Sequence, residues 1–379
     1  MKYDYIIAGS GCSGLSLLYK ILNTTELKNK SILVVDKVQK NKNDRTWCYW
    51  EQNQGPFESI VHSKWKNLEF ISDKFQKKQD LKSYTYKMIR GIDFYNFVLN
   101  YTQKFKNVNF IFEEILEINS FQDYSFVKTK KSTYKGKYVF NSTSMFNPKI
   151  HKQNSLLQHF NGWVIESKKK SFDSKIGRLM DFNISQEDGA TFMYVLPISN
   201  KEALVEYTLF SPNILIKEKY TKALTKYIKE ILKIDDYTIK HKEYGIIPMS
   251  LAIFKSNPKK NIFNIGTAGG YTKASTGYTF QFIQDNISKI VDKLKVGEYP
   301  KITITFEEKV NQWFDKTLLD VLINKKMSGK DVFSRIFKNN KFEHILAFLS
   351  NESNLRIKFS IMKSLPIIPF LISAIKQLK

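Results

Sequence analysis

Apolar residues fall into short runs whose spacing changes along the chain. Ile6, Ile7 and Ala8 form a short buried strand that runs directly into Gly9-Ser10-Gly11-Cys12-Ser13-Gly14, and a second apolar run, Ser31 to Val35, ends on Asp36. Strand, glycine turn, helix and strand in that order predict a βαβ unit. Residues 86–105 place Phe94, Phe97, Val98 and Tyr101 at helical spacing, with Asp93 positioned to cap the helix start. Strands are expected at 107–112, 124–130 and 137–140. From about 155 to 250 the runs lengthen and alternate, as in Thr191 to Pro197 and Ala203 to Phe210, which predicts an antiparallel sheet. The first pattern then returns: a short strand at 261–265, the turn Gly266-Thr267-Ala268-Gly269-Gly270, and Ser275-Thr276-Gly277-Tyr278 opening a helix to about Leu294. Beyond about 300 the apolar residues, among them Phe314, Leu318 and Leu322, repeat at helical spacing.

These elements predict an α/β protein. A Rossmann-like dinucleotide-binding domain takes 1–150 and returns at 256–298, a mainly antiparallel-sheet substrate domain is inserted at 151–255, and 299–379 form a helical C-terminal region. Gly9 permits the tight turn, Gly11 lets a pyrophosphate approach backbone N–H groups, and Gly14 lets the helix lie close to the sheet. Asp36 sits where such units bind a ribose hydroxyl. The second glycine turn offers small residues at a helix start, which suits a flavin or phosphate and equally an ordinary strand-to-helix connection.

Composition narrows the class. The hydrophobic share of 42% supports a packed interior, and the two cysteines, Cys12 and Cys48, are too few for a disulfide framework or a four-ligand metal site. No metal is expected, and the setting reads as reducing and cytoplasmic. The glycines interrupt the first apolar run too early for a signal peptide. A formal charge of +24 attracts phosphate-rich surfaces, yet only five of the 60 cations are Arg and no aromatic-basic motif occurs, so nucleic acid is not expected as a partner. A solvated lysine surface and a membrane-facing one remain equally good readings. Leu365 to Ile375 is too short to span a bilayer, and Pro366 and Pro369 argue against a single helix there. Core packing is the expectation, with an in-plane membrane contact as the alternative.

The segment Asp44-Arg45-Thr46-Trp47-Cys48-Tyr49-Trp50-Glu51 is dense in aromatics. Arg45 fits a contact to cofactor phosphate or ribose, and the rings fit either a flat ligand or a loop folded onto itself. Together with GSGCSG and Asp36, Leu204 to Thr208 (LVEYT) and Gly266 to Tyr278 (GTAGGYTKASTGY), this DRTWCYWE stretch resembles the bacterial FAD-dependent lycopene cyclases. Supporting stretches include 158–163, 180–182 and 245–249, so the resemblance covers nearly the whole chain. The family's acidic motif usually carries a second acid after the first; Tyr207 stands there in this chain.

The resemblance implies a lycopene beta-cyclase. Its reaction is an acid-catalysed, redox-neutral closure of the ends of lycopene to beta-ionone rings, giving gamma-carotene and beta-carotene. FAD in its reduced form is the implied cofactor, NAD(P)H its reductant, lycopene and related carotenoids the substrates, and the inner face of the cell membrane the location. Glu206 becomes the expected catalytic acid, on one face of its strand with Leu204 and Thr208. An alkene is a very weak base, so this acid must be kept neutral by burial. Trp163, Phe182 and Tyr194 are expected in the substrate pocket to stabilise a carbocation, with Asp181 and Glu243 as further acids there. His159 is expected to be a structural hydrogen-bonder. The expected cofactor contacts are Gly9, Gly11, Gly14, Asp36, Arg45, Gly266, Gly269, Gly270 and Gly277. An FAD-dependent monooxygenase or another carotenoid-modifying oxidoreductase shares the glycine fingerprint and is the alternative, ahead of a non-enzymatic membrane flavoprotein.

Overall fold

The computed structural model describes residues 2–73 and 75–378. Its first sheet runs in the order β8 (Val108–Phe112), β2 (Ile32–Asp36), β1 (Lys2–Ala8), β11 (Thr133–Asn141), β10 (Ser125–Thr129) and β9 (Ile115–Ser120), and β17 (Ile262–Asn264) also pairs with β11. The strands β8, β2, β1, β11 and β17 are mutually parallel, the Rossmann-like arrangement expected from the opening pattern. Helix α1 (Cys12–Leu22) buries Leu15, Leu17, Leu18 and Ile21 against this sheet and against α4 (Phe280–Lys295). Its close approach depends on Gly14, where a Cβ would stand 2.0 Å from the carbonyl oxygen of Gly9.

The second sheet is mostly antiparallel: β16 (Tyr237–Ser250), β12 (Ser155–Ser167), β15 (Glu202–Ser211), β14 (Ala190–Pro197), β13 (Ile176–Asp181), β5 (Asn67–Ser72) and β6 (Phe75–Asp80). Its last two strands come from the N-terminal stretch, and β5 joins β13 in parallel. One face packs Val205, Tyr207 and Leu209 against α3 (Lys217–Glu230). The other face looks toward the first sheet and the third, small one, β3 (Thr46–Glu51), β7 (Thr85–Arg90) and β4 (Ser63–Trp65). The aromatic DRTWCYWE stretch is thus largely a strand. Trp50 is buried there, and its indole N–H donates to the carbonyl of Leu346 at 3.1 Å.

Helix α2 (Gly91–Thr102) begins after Arg90. Asp93 does not cap it; the carboxylate lies inside the first turn and takes both Arg90 Nε at 2.7 Å and Nη2 at 2.9 Å. The tail folds as α5 (Phe306–Ile323), α6 (Gly329–Asn339), α7 (Phe342–Leu349), α8 (Leu355–Lys363) and α9 (Ile367–Lys376). The prolines do not prevent α9. Pro366 is its N-cap and Pro369 lies in its first turn, where a missing N–H costs no intrahelical bond. The segment is core only in part: Leu365 and Phe370 pack against the core, whereas Ile367 and Ile368 are 76% and 72% exposed. Among the described residues no helix is long and apolar enough to cross a membrane.

Candidate active site

A single cavity of about 720 Å³ runs from the first glycine turn to the inner face of the second sheet. At one end it is lined by Gly9, Gly11, Ser13, Asp36 and Arg45, and at the other by Tyr194, Leu204, Glu206, Glu243 and Tyr278. That volume lies within the usual range for small-molecule sites.

At the glycine end, Gly9 adopts φ +100°, and a Cβ there would meet Ser142 Oγ at 2.3 Å. Gly11 has open space where its side chain would be and lines the cavity. Asp36 Oδ2 accepts from both Ser10 N (2.7 Å) and Ser10 Oγ (2.8 Å), which fixes the carboxylate and leaves Oδ1 with only a 3.4 Å contact from Val38 N. From the second turn, Thr267, Thr276 and Gly277 reach the cavity. Gly266, Gly269 and Gly270 do not line it; Gly266 packs beside Ser13, Gly269 against the Asn264 carbonyl and Gly270 against Phe254. Their function is to form the turn.

At the sheet end the strand register sets four residues in one row. Tyr194 on β14 faces Glu206 on β15, Glu206 faces Gly162 on β12, and Gly162 faces Glu243 on β16. The two glutamates therefore start two strand spacings apart, roughly 10 Å. Their side chains converge over the glycine, which offers no side chain to keep them apart. A Cβ at Gly162 would lie 3.1 Å from Glu243 Cγ and 3.2 Å from Glu243 Oε1.

Both glutamates are buried and hydrogen-bonded to one another. Burial, and then the charge of Glu243, push Glu206 well above the usual carboxylate range, although Thr208 Oγ1 donates to Glu206 Oε1 at 2.6 Å. Burial also raises Glu243, but Thr46, Glu206, His241 and Arg45 each favour its charged form. The two carboxyls titrate as one unit, and their shared burial favours keeping a proton on the pair. Around it, Tyr278 joins two other phenols, with O···O distances of 3.3 Å to Tyr86 and 3.5 Å to Tyr194. Trp50 meets Tyr278 edge to face at 4.6 Å. Cys48 lines the same wall, and burial raises its thiol well above the ordinary value, which makes it a poor nucleophile.

Three residues expected in the substrate pocket lie elsewhere. Trp163 follows Gly162 and so points to the opposite face of the sheet, under Lys242 at 5.4 Å. Asp181 is buried against Tyr227, whose hydroxyl donates to it at 2.6 Å, with Arg178 at 3.2 Å. Phe182 is enclosed by Phe70, Phe192 and Phe333 and does not reach the cavity. His159 is structural in its geometry: Nδ1 accepts from Tyr220 Oη at 2.5 Å and Nε2 meets Ser211 Oγ at 2.8 Å. Gly162 and Tyr86 were not among the expected site residues, and Thr208 and Tyr278, though placed beside Glu206 and in the second glycine segment, were assigned no part in the site. A glycine inside an alternating strand is a signal of close approach, and it was available for Gly162.

The profile of the family described as "Lycopene cyclase protein" matches residues 4–375. The chain belongs to the lycopene cyclase family. No curated protein matches it. Among solved structures, a flavoprotein/dehydrogenase from Cytophaga hutchinsonii is 13% identical with a TM-score of 0.67, over 100% of this chain and 99% of that one. A geranylgeranyl bacteriochlorophyll reductase-like protein from Thermoplasma acidophilum is 12% identical with a TM-score of 0.61, over 100% and 98%. A halogenase in complex with FAD is also 12% identical, with a TM-score of 0.57 over 91% of this chain and 78% of that one. At these identities the likeness establishes the fold that this lycopene cyclase family member shares with them.

Proposed function

We propose that the protein is a lycopene beta-cyclase, and the observation that carries this reading is the Glu206–Glu243 pair over Gly162 at the sheet end of the cavity. A buried carboxyl kept neutral by its surroundings and paired with a second carboxyl suits a reaction that begins by protonating an alkene. The Glu206 O–H delivers its proton to the terminal double bond, leaving a tertiary cation. The neighbouring double bond attacks that cation, forming the ring C–C bond and moving the positive charge into the ring. Loss of a ring proton to a carboxylate of the pair completes the double bond and restores the acid. Atoms and electrons balance with no oxidant. Tyr194, Tyr86 and Tyr278 surround this point with electron-rich rings, which stabilise a cation.

The residues at the other end fit FAD. The Gly9 turn, the open face of Gly11 and the N-terminus of α1 suit a diphosphate, and Asp36 Oδ1 suits a ribose hydroxyl. Gln158 Oε1 and Thr276 Oγ1 are buried in the cavity wall with no hydrogen-bond partner among the described residues, as expected of groups that meet a polar ligand. Bound reduced flavin would supply negative charge close to the cation. Arg45 lines the same stretch, its guanidinium held by the Asp44 carbonyl at 2.7 Å. NAD(P)H as the flavin reductant, carotenoids as substrates and work at the inner face of a membrane belong to the same proposal.

Expression in lycopene-accumulating cells, with pigments resolved by chromatography, tests it. Cyclised carotenoids are expected with the wild type and none with Glu206→Gln. Cells that retain only lycopene with the wild type, or steady NAD(P)H consumption coupled to an oxygenated product, rule the reading out.

A further inference from the structure

The C-terminal helices leave an apolar surface uncovered. On α9, Ile367, Ile368, Leu371, Ile372 and Ile375 are each more than half exposed and recur at i, i+1, i+4, i+5 and i+8, one continuous stripe. Immediately upstream, α8 exposes Leu355 and Phe359 on one face. Neither helix is loosely attached. Ser373, on the opposite side of α9, is fully buried and accepts from Lys326 Nζ at 2.8 Å, and the Ala374 carbonyl accepts from the Trp313 indole at 2.9 Å. Ile361 anchors α8 in the core. The exposed stripe is therefore presented by a fixed scaffold, and apolar patches of this extent mark interaction surfaces.

Charge selects the partner. Residues 353–379 hold no Asp or Glu and five cations on a chain of formal charge +24; of these, Lys358 is buried against Glu307 and Lys376 bonds Asp320 at 2.8 Å, whereas Arg356 and Lys363 are exposed. A second copy would bring like charge against like charge. An anionic bilayer offers acyl chains to the stripe and phosphates to the exposed Arg356 and Lys363, and a ten-residue helix that cannot span lies in that interface. We propose that α9, with α8 beside it in the chain, docks this protein onto anionic lipid. Its purpose, access to a lipid-dissolved substrate, rests on the cyclase reading; the binding itself does not.

The test is sedimentation of the full chain with carotenoid-free phosphatidylcholine vesicles, with and without phosphatidylglycerol. Wild type is expected to bind only the anionic vesicles and to release in high salt. The double variant Ile368→Glu, Ile372→Glu, at exposed positions that leave Tm unchanged, is expected to bind at least ~10-fold less, with Lys363→Glu intermediate. Turnover of vesicle-embedded lycopene should fall in the double variant while turnover of detergent-dispersed lycopene stays. Equal vesicle binding by wild type and double variant overturns the proposal, as does a wild-type dimer that the variant dissociates without any vesicle binding. Lipid binding without cyclisation in detergent would instead sink only the cyclase reading.

Discussion

Gly162→Ala separates the two carboxyls without deleting either. The added Cβ would stand 3.1 Å from both Glu243 Cγ and Leu204 Cδ1, so these neighbours must yield by a few tenths of an ångström. Gly162 lies in regular antiparallel pairing on both sides, a backbone that alanine adopts without strain. Overpacking of this kind costs about 1–3 kcal/mol, and the narrower unfolded ensemble returns about 0.4–1 kcal/mol, so stability should fall by no more than about 2.5 kcal/mol. In a chain of this size that is a Tm loss of about 5 °C or less. The function suffers more. Losing a hydrogen bond to a charged group is worth about 1.5–3 kcal/mol, which predicts a drop of about 10- to 150-fold in lycopene turnover. The pH profile carries the sharper signature. Glu206 works protonated, so activity is present at low pH and disappears as pH rises through its raised pKa; removing the Glu243 charge from its side lowers that pKa and moves the alkaline limb to lower pH. Turnover measured against pH, alongside a melting curve, decides the matter. A well-folded Gly162→Ala protein with the wild-type rate and the wild-type alkaline limb would refute the paired-carboxyl argument.

Glu206→Gln should be inactive yet more heat-stable than wild type at neutral pH. The buried acid stabilises the fold fully below the ordinary carboxylate range and loses that contribution as pH rises through its raised pKa, so the variant's Tm advantage should grow steadily as pH rises above the ordinary carboxylate range. Asp36→Ala releases both Ser10 contacts and the proposed ribose contact, and the purified protein should lose its flavin absorbance while keeping its melting temperature within a few degrees. Asp181→Ala removes the acceptor of the Tyr227 hydroxyl and one of the two carboxylates on Arg178, which keeps Glu69 at 2.8 Å, a loss of about 1.5–3 kcal/mol, while turnover per folded molecule is unchanged; a selective loss of turnover would return Asp181 to the reaction.

The features readable beforehand are those written in local spacing. GSGCSG followed by a strand ending on Asp36 can form few structures other than the turn observed, because Gly14 needs to pack on a carbonyl and Gly9 needs a positive φ. Period-2 alternation likewise settled that Glu206 shares a face with Leu204 and Thr208. It could not say which acid on another strand would stand across from it. Glu243 reaches Glu206 through the register of β12 with β16, which shifts at a bulge between Val164 and Ile165. Asp181 was misplaced for the same reason: an acid closing an apolar run can face either side of a sheet, and this one faces Arg178 and Tyr227. The end of the chain failed differently. Hydrophobicity alone suggested burial there, whereas Phe370, Ser373 and Ala374 carry the packing of α9 and the isoleucines point out.

Tyr207 shows why the second carboxyl had to come from another strand. It follows Glu206 directly, so the pleat sends it to the opposite face, where it is buried beside Tyr220 of α3 at a ring distance of 6.2 Å. A carboxyl at 207 would be desolvated among aromatic rings and could not reach the cavity at all. Tyrosine suits that place. The acid that can cooperate with Glu206 must share its face and its row, and across the neighbouring strand Gly162 the row ends on Glu243. The departure from the family's usual acidic motif therefore removes nothing from the pair that the cavity presents, provided the residue between its two members stays a glycine.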